Sequence, residues 1–114
     1  MVMTDPLSSA IERDDTEVVE RGRLVVLPGE YIASVDGDQL QLTRREFQLL
    51  ALFVRNPGRL LRREEIAAEV WGTSPKGRTI DIHVARLRKK LPRGAIETVI
   101  RLGYRFIDEA VNTS

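Results

Sequence analysis

The clearest hydrophobic pattern in the chain lies between residues 78 and 91, where apolar positions recur at the spacing of an amphipathic α-helix. At about 100° per residue, four aliphatic side chains fall on one narrow stripe that can pack against a core: Ile80, Val84, Leu87 and Leu91. The opposite face carries cations together with two apolar residues: Arg78, Ile82, Ala85, Arg86 and Lys89. The pattern predicts a helix that is anchored by one stripe and presents a basic face outwards.

A second pattern, that of short β-strands, occupies the chain before residue 43. Apolar and β-branched residues form four runs, at 18–20, 23–27, 31–35 and 39–42. Pro28-Gly29 and the tripeptide at 36–38, Asp-Gly-Asp, separate these runs, and the tripeptide is typical of a tight hairpin turn. We therefore expect a small antiparallel sheet in this part of the chain.

A helix is predicted to begin at Thr43, because Thr43 and Glu46 have the spacing of a capping box. Leu42 and Phe47 stand at the two positions of a hydrophobic staple. The helix is apolar on two sides and ends at the Asn-Pro-Gly sequence of residues 56–58. A helix of this kind is expected to lie between the sheet and the elements downstream.

The rest of the chain adds two helices and a hairpin. The predicted elements are an extended piece at 59–61, a helix at 63–71, a turn at 72–77, the basic helix at 78–91, and strands at 96–100 and 104–107. This order predicts an α+β fold, a winged helix-turn-helix with three helices, an N-terminal antiparallel sheet and a C-terminal β-hairpin wing. We expect the domain to span 18–108, between a flexible acidic N-terminal tail at 1–17 and a C-terminal tail at 109–114.

Length and composition agree with one small domain. The chain has 114 residues, of which 42% are hydrophobic, and it has no cysteine for a disulfide or a thiolate metal site. The longest apolar run, residues 49–54, is too short to cross a bilayer, and the N-terminus lacks the basic start and apolar middle of a secretory signal. We therefore expect a cytoplasmic protein that does not associate with membranes.

Charge is distributed unevenly along the chain. Residues 1–43 carry three Lys or Arg and nine Asp or Glu, a net charge of −6, whereas residues 44–105 carry fifteen against six, a net charge of +9. A basic C-terminal part attracts polyanions, and an acidic N-terminal part repels them. Nucleic acid is the expected partner, bound by the C-terminal part.

Catalytic chemistry has little support in the sequence. The chain has one histidine, no cysteine and no cluster of carboxylates that would give a nucleophile, a base and an orienting group. It also has no phosphate-binding glycine loop. We expect no enzyme activity, no cofactor and no metal site.

A set of short motifs, taken in order, resembles the OmpR/PhoB-type winged-helix DNA-binding domain over roughly residues 19–107. The motifs are Leu42-Thr43, Glu46-Phe47, Leu49-Leu50, Pro57-Gly58, Arg63-Glu64, Val70-Trp71-Gly72, the run from Arg78 to His83, the run from Leu87 to Leu91, Thr98-Val99 and the run from Gly103 to Phe106. Each motif alone is weak, but the ordered set is specific.

The resemblance implies a bacterial transcription regulator of a two-component system, with the basic helix in the major groove of double-stranded DNA and the hairpin at 96–107 as the wing. It implies contacts to base edges or to the groove floor from Thr79, Asp81, Ile82 and Arg86. It also implies contacts to phosphates from Arg63, Trp71, Arg78, His83, Arg88, Lys89, Thr98 and Tyr104. Arg86 is the expected reader of guanine.

This chain departs from the family pattern in the wing and in the loop before the basic helix. The resemblance implies that the wing lies near the adjacent minor groove, but Ile100 stands where family members commonly carry arginine, and Arg101 stands where they carry glycine. Either Arg101 substitutes for that arginine from a shifted turn, or the wing touches only the DNA backbone. In many relatives the loop that corresponds to the stretch from Trp71 to Arg78 contacts RNA polymerase, and in this chain the loop is shorter. RNA polymerase is a second candidate partner. The chain also lacks the usual receiver domain, which implies an excised output domain or a standalone regulator, monomeric alone and paired head to tail on DNA.

Several of these residues have structural alternatives. His83 can be purely structural, Trp71 can be mainly a core residue, and Ile82 can pack against a neighbouring element. Asp81 can form an ion pair with Arg78 one turn away, with or without a contact in the groove. The alternative for the whole chain is a protein-interaction module on a winged-helix scaffold, with polymerase or a regulator as partner and incidental DNA contact.

Overall fold

A computed structural model describes residues 17–112, and within that range the chain forms two antiparallel sheets and four helical segments. The elements are β1 (Val19–Arg21), β2 (Leu24–Leu27), a 3₁₀ turn (Pro28–Glu30), β3 (Ile32–Val35), β4 (Asp38–Gln39), α1 (Arg44–Arg55), β5 (Leu60–Arg62), α2 (Arg63–Ile66) with a π-helical continuation (Ala67–Trp71), α3 (Thr79–Lys90), β6 (Ile96–Val99), β7 (Gly103–Phe106) and α4 (Asp108–Asn112). Apart from Glu17, the predicted N-terminal tail lies outside the described residues.

The N-terminal sheet has the strand order β1-β2-β3-β4. The predicted hairpin turn is confirmed, because Asp36 and Gly37 both have positive φ, at 55° and 86°, as a two-residue turn of this kind requires. β4 is shorter than predicted. Leu40 still donates its amide to the carbonyl of Ala33, after which the chain leaves the sheet and turns into α1.

The predicted capping box at the start of α1 is confirmed in both directions. The Glu46 amide donates to Thr43 Oγ1 at 3.2 Å, and the Thr43 amide donates to Glu46 Oε1 at 2.9 Å. α1 contacts β1, β7, the π-helical segment and α3, so it lies between the sheet and the downstream helices, as its two apolar sides predicted. Its largest fully buried apolar side chains are Leu49, Leu50, Phe53 and Val54.

The predicted second helix has the expected extent, although its second half widens to π-helical geometry. It ends at Gly72, which has φ of 75° and donates its amide to the carbonyl of Ala67. The turn to α3 follows, and the described part of the chain therefore contains the helix-turn-helix arrangement that the sequence predicted.

The wing is part of a three-stranded sheet with the order β5-β7-β6. The extended piece before α2 thus pairs with the hairpin, a contact that the sequence pattern alone did not predict. Gly103 is required at this point, because a Cβ added there would lie 2.0 Å from the carbonyl oxygen of Leu61. The close approach of two backbones holds the wing against the body of the domain.

Two predictions about the chain ends need correction. The predicted C-terminal tail instead contributes most of α4, in which Val111 is buried and accepts a hydrogen bond from the Arg23 amide at 2.8 Å. At the other end, Glu17 pairs with Arg55 at 2.7 Å, so the last residue of the predicted tail is fixed to α1. No helix in residues 17–112 has both the length and the apolar character needed to span a bilayer.

Candidate nucleic-acid interface

The basic helix, α3, has the two faces that its sequence predicted. Ile80, Val84 and Leu87 are buried, and Leu91 just beyond the helix is also buried. On the other side Ile82 is 47% exposed. Its exposed neighbours are Arg78, Ala85, Arg86 and Lys89. The prediction that Ile82 points away from the core is confirmed, and packing of Ile82 inside the protein is excluded.

A buried carboxylate fixes the C-terminal end of α3. Lys90 Nζ donates to Glu46 Oε1 at 2.7 Å and to the Gln41 carbonyl at 2.8 Å, and Glu46 is only 2% exposed. Burial alone would raise the pKa of Glu46, but hydrogen bonds from Lys90 and from the Thr43 amide outweigh it and lower the pKa. One side chain therefore caps α1 and anchors α3.

Asp81 joins α3 to two other elements. Its Oδ1 accepts hydrogen bonds from Arg63 Nη2 of α2 at 2.6 Å and from the Tyr104 hydroxyl of β7 at 2.5 Å. The hydrogen bond from Tyr104 lowers the pKa of Asp81 despite partial burial, and Arg63 lowers it further. The ion pair with Arg78, which was one of the alternatives for Asp81, is not formed; Arg63 is the ion-pair partner of Asp81. Both bonds use Oδ1, so a base contact by Asp81 would have to come from its other oxygen, Oδ2.

Tyr104 lies beneath the exposed surface. It is 4% exposed, and burial together with its bond to Asp81 raises the pKa of its hydroxyl. The guanidinium carbons of Arg63 and Arg88 lie 5.6 Å and 5.8 Å from the centre of its ring. Tyr104 is thus a core residue whose hydroxyl already donates a hydrogen bond to Asp81. To donate to a phosphate instead, the hydroxyl would have to break that hydrogen bond.

Arg88 connects α3 to the wing. Its Nη2 donates to Thr98 Oγ1 of β6 at 2.8 Å. Arg88 is half-buried and Thr98 is exposed. These two predicted phosphate contacts are therefore adjacent, and together with Arg63, Asp81 and Tyr104 they form one cluster that we call the helix–wing cluster.

A second group of predicted residues lies at the start of α3. The His83 ring meets Trp71 edge to face at 5.3 Å, and His83 Nδ1 lies 2.8 Å from the Thr79 carbonyl. Because a carbonyl only accepts, Nδ1 donates, and Nε2 remains for an external donor or water. Trp71 is half-buried against the core, which agrees with a packing role. The Thr79 hydroxyl donates to the Lys76 carbonyl at 2.7 Å.

Two arginines near this surface were missed by the sequence reasoning. The Arg45 guanidinium lies 5.4 Å from the centre of the Trp71 ring and also donates to the Val70 carbonyl. Arg93 lines a concave basic surface beyond the end of α3, which is formed by Ala85, Arg88, Lys89, Leu91, Arg93 and Gly94. Arg93 lies between Pro92 and Gly94, just beyond the basic helix, and only its cationic side chain offered a signal. Arg101 lies apart from these groups, in the turn between β6 and β7.

Metal chemistry finds no support in the described part of the chain. Residues 17–112 contain no group of three or more His, Cys, Asp or Glu side chains arranged to hold a metal ion. What the site offers is an exposed row of cations with a central aliphatic residue, held in place by buried hydrogen bonds.

Comparison with known proteins agrees with this geometry. The family model described as "Transcriptional regulatory protein, C terminal" matches residues 37–106. The chain is 43% identical over 86 residues to the regulatory protein VanRB of Enterococcus faecalis, which covers 74% of this chain and 39% of VanRB. It is 36% identical over 96 residues to the phosphate regulon transcriptional regulatory protein PhoB of Escherichia coli, which covers 79% of this chain and 42% of PhoB. The chain therefore spans about two fifths of the length of these curated relatives.

Solved structures give the same result for the fold. The DNA-binding domain of CpxR from E. coli superposes with a TM-score of 0.73 at 35% identity, covering 80% of this chain and 96% of that domain. The RstA DNA-binding domain of Klebsiella pneumoniae, solved in complex with the RstA box, superposes with a TM-score of 0.74 at 25% identity, covering 81% and 98%. The predicted fold and the predicted family resemblance are confirmed.

Proposed function

The chain belongs to the family of transcriptional regulatory protein C-terminal domains, the OmpR/PhoB type of DNA-binding domain, and from that premise we propose that it binds double-stranded DNA sequence-specifically through the exposed face of α3. The observation that carries this proposal is the 47% exposure of Ile82 between the exposed cations Arg78, Arg86 and Lys89. An aliphatic side chain in the middle of a basic helix face suits a major groove, where it can meet a thymine methyl.

Base reading is assigned to the outermost side chains of α3. Arg86 is exposed and matches the paired acceptors of guanine, while Ile82 and Ala85 suit thymine methyls. Thr79 reads a base edge only if its hydroxyl turns away from the Lys76 carbonyl. Asp81 accepts two hydrogen bonds inside the protein, so we assign it the positioning of Arg63 in place of the base contact that the resemblance implied.

Phosphate contacts are assigned to the flanks of the same face. Arg63, Arg78, Arg88 and Lys89 supply cations, and Thr98 adds a hydroxyl from the wing. On the other flank the indole N–H of Trp71 is a donor, and His83 Nε2 accepts there, so that it meets a phosphate through a water molecule that donates to both. Such contacts fix the orientation of the protein on DNA, while the base contacts select the sequence.

Two assembly features belong to the same proposal. We infer head-to-tail pairs of the domain on repeated half-sites, with the isolated chain monomeric. We also infer RNA polymerase as a protein partner through the exposed turn between α2 and α3. Both rest on the family and on this chain's fold, and binding cooperativity on DNA with one or two half-sites tests the first.

The test of DNA binding starts from selection of bound duplexes from a random pool, followed by binding measurements on the selected site. Arg86→Ala is expected to lose preference at one position of the site, at a cost of about 1–3 kcal/mol in discrimination. Arg23→Ala is the matched control, because it removes a cation that lies in the turn before β2 and pairs with Asp36. Recovery of no sequence, with no binding even at low salt, would support the protein-interaction alternative.

A further inference from the structure

Arg45 in the first turn of α1 is a cation without an acidic partner. Among residues 17–112 no carboxylate forms an ion pair with it. The groups that it contacts are uncharged: the Gln48 side chain, the Val70 carbonyl and the Trp71 ring. Arg45 is also the second residue of its helix, where the positive end of the helix dipole disfavours a cation. A guanidinium in this situation is suited to an anion that comes from outside the protein.

The contacts of Arg45 hold its guanidinium beside the indole of Trp71. Nη1 donates to Gln48 Oε1 at 3.1 Å and to the Val70 carbonyl. The guanidinium carbon lies 5.4 Å from the centre of the Trp71 ring. Val70 stands near the end of the second helix, where carbonyls lack partners within the helix and the dipole favours a cation. The guanidinium is therefore held in place by a neighbouring helix as well as by its own.

The other donors of Arg45 are open to a ligand. Nη1 uses both of its hydrogens, which leaves the hydrogens of Nε and Nη2. Within the described residues neither atom has a hydrogen-bond partner, and neither is among the buried atoms that lack one, so both reach solvent. Arg45 can therefore donate to a phosphate without giving up its contacts in the protein.

Arg45 lies on the flank of α3 that is opposite to the wing. Trp71 meets His83 of α3 edge to face at 5.3 Å, whereas the wing is joined to α3 through Asp81 and Arg88. An α-helix with its side chains is about 10–12 Å across, and the major groove is about 12 Å wide. Both flanks of a helix in that groove therefore face a phosphate strand.

The distance between Arg45 and Trp71 decides whether the charge of Arg45 acts on the same phosphate as the indole. The Trp71 N–H is an uncharged donor, so it can direct a hydrogen bond but cannot neutralise an anion. A phosphate at that N–H lies well within the Debye length of Arg45, which is about 8–10 Å at ordinary salt. The two side chains thus supply what one phosphate site needs.

We propose that Arg45 and Trp71 form one phosphate-binding site, in which the indole donates the directed hydrogen bond and Arg45 supplies the positive charge through Nε or Nη2. This proposal rests on the proposed function, since it requires α3 to bind DNA. It makes the start of α1, a helix that otherwise packs inside the domain, a part of the DNA interface. Such a contact strengthens binding to every sequence and selects none.

The experiment compares two variants that separate the charge of Arg45 from its contacts in the protein. Arg45→Gln keeps an amide donor and removes the charge. It should reduce the magnitude of the log–log salt slope by about 0.9 and weaken binding by about five- to tenfold near 0.1 M salt. Selected and scrambled duplexes should be affected alike. Arg45→Lys keeps the charge, which also binds phosphate, and should retain the wild-type slope.

Arg44→Gln is the matched control, because it removes the same charge from the preceding residue of α1. The Arg44 side chain is exposed and has no partner among the described residues. It shares a helix row with Gln48 and Ala51, which border a groove beside Tyr31 and not beside α3. Its salt slope should stay close to that of wild type. Thermal melting of each variant checks the fold.

Trp71 itself reports whether DNA reaches this flank, because it is the only tryptophan in the chain. Its fluorescence emission should change when wild-type protein binds the selected duplex. An unchanged emission at full binding would mean that no phosphate meets the indole, and would overturn the proposed site.

Two other results would also overturn the site. Equal salt slopes for Arg45→Gln and Arg44→Gln would mean that Arg45 only supports Trp71 and the Val70 carbonyl. A loss of preference at one base pair in Arg45→Gln would assign Arg45 to base reading. These results leave DNA binding by α3 intact, whereas wild-type protein that binds no selected duplex would refute the proposed function.

Discussion

Arg63 and Asp81 join α2 to α3 through an ion pair of 2.6 Å. The two residues are separated by 18 positions in the chain, and the same Asp81 oxygen also accepts the Tyr104 hydroxyl. A carboxylate in the middle of a DNA-facing surface would repel phosphates, but here it holds a cation in place. Asp81 thereby has a positioning role, which is separate from the role of Arg86, an exposed residue that faces outwards.

The first prediction follows from that separation. Asp81→Asn should weaken binding to all DNA sequences by a similar factor, because the anchor that Arg63 and the wing share loses its negative charge. Repeating the selection with this variant tests the point, and the recovered consensus should match that of wild type. A consensus altered at a single position would instead assign Asp81 to base reading.

The second prediction concerns the cations of α3. Lys89→Ala should reduce the magnitude of the log–log salt slope by about 0.9 and leave the sequence preference intact. Arg86→Ala should relax the preference at one base pair. Measuring affinity for selected and scrambled duplexes at several salt concentrations separates the two effects, and an exchange of the two phenotypes would mean that the assignment of the two residues is reversed.

The third prediction concerns pH and the anchor of α3. The pKa of Glu46 in the folded protein lies below its ordinary value of 4.5, so its carboxylate stabilises the fold fully above that value and stabilises it less as the pH falls through the lowered pKa. Glu46→Gln should reduce the free energy of unfolding by about 2 kcal/mol at pH 7. The difference from wild type should shrink in acid.

Denaturant unfolding at neutral and acidic pH measures this difference. Glu69→Gln, which changes an exposed carboxylate on the π-helical segment, is the matched control and should show almost no effect at either pH. A Glu46→Gln penalty that stays the same once the pH has fallen through the lowered pKa of Glu46 would mean that packing, and not the charge, is what Glu46 contributes.

The fourth prediction concerns the start of α1. Thr43→Ala removes the hydroxyl that accepts a hydrogen bond from the Glu46 amide. It should therefore lower the free energy of unfolding by about 1 kcal/mol. Thermal melting checks it, with Thr73→Ala in the exposed turn before α3 as the control. Equal melting temperatures for the two variants would argue against a stabilising cap.

The elements that the sequence predicted well are those specified by neighbouring residues. The capping box of Thr43 and Glu46 and the buried stripe of α3 depend on spacings of three or four positions, and both occur as predicted. The exposed position of Ile82 follows from the same helical geometry. Hydrophobic periodicity is sufficient to predict the buried face of an element when the residues of that element alone determine the face.

The features that the sequence missed depend on contacts between distant segments. Arg63 reaches Asp81 from another helix, and Leu61 reaches Gly103 across a sheet, so no local pattern identifies either pair. α4 was missed because a five-residue helix with Val111 as its only buried residue has no detectable period. Tertiary packing also determined that the Tyr104 hydroxyl donates to Asp81.

The most direct test of the central claim is to titrate isotope-labelled protein with its selected duplex and to measure how the chemical shift of each backbone amide changes. The largest changes are expected at Arg78, Ile82 and Arg86. Smaller changes are expected in the turn at residues 100–102, and almost none in β1 to β4. Changes concentrated in the N-terminal sheet, with α3 unaffected, would contradict the claim that the exposed face of α3 binds DNA.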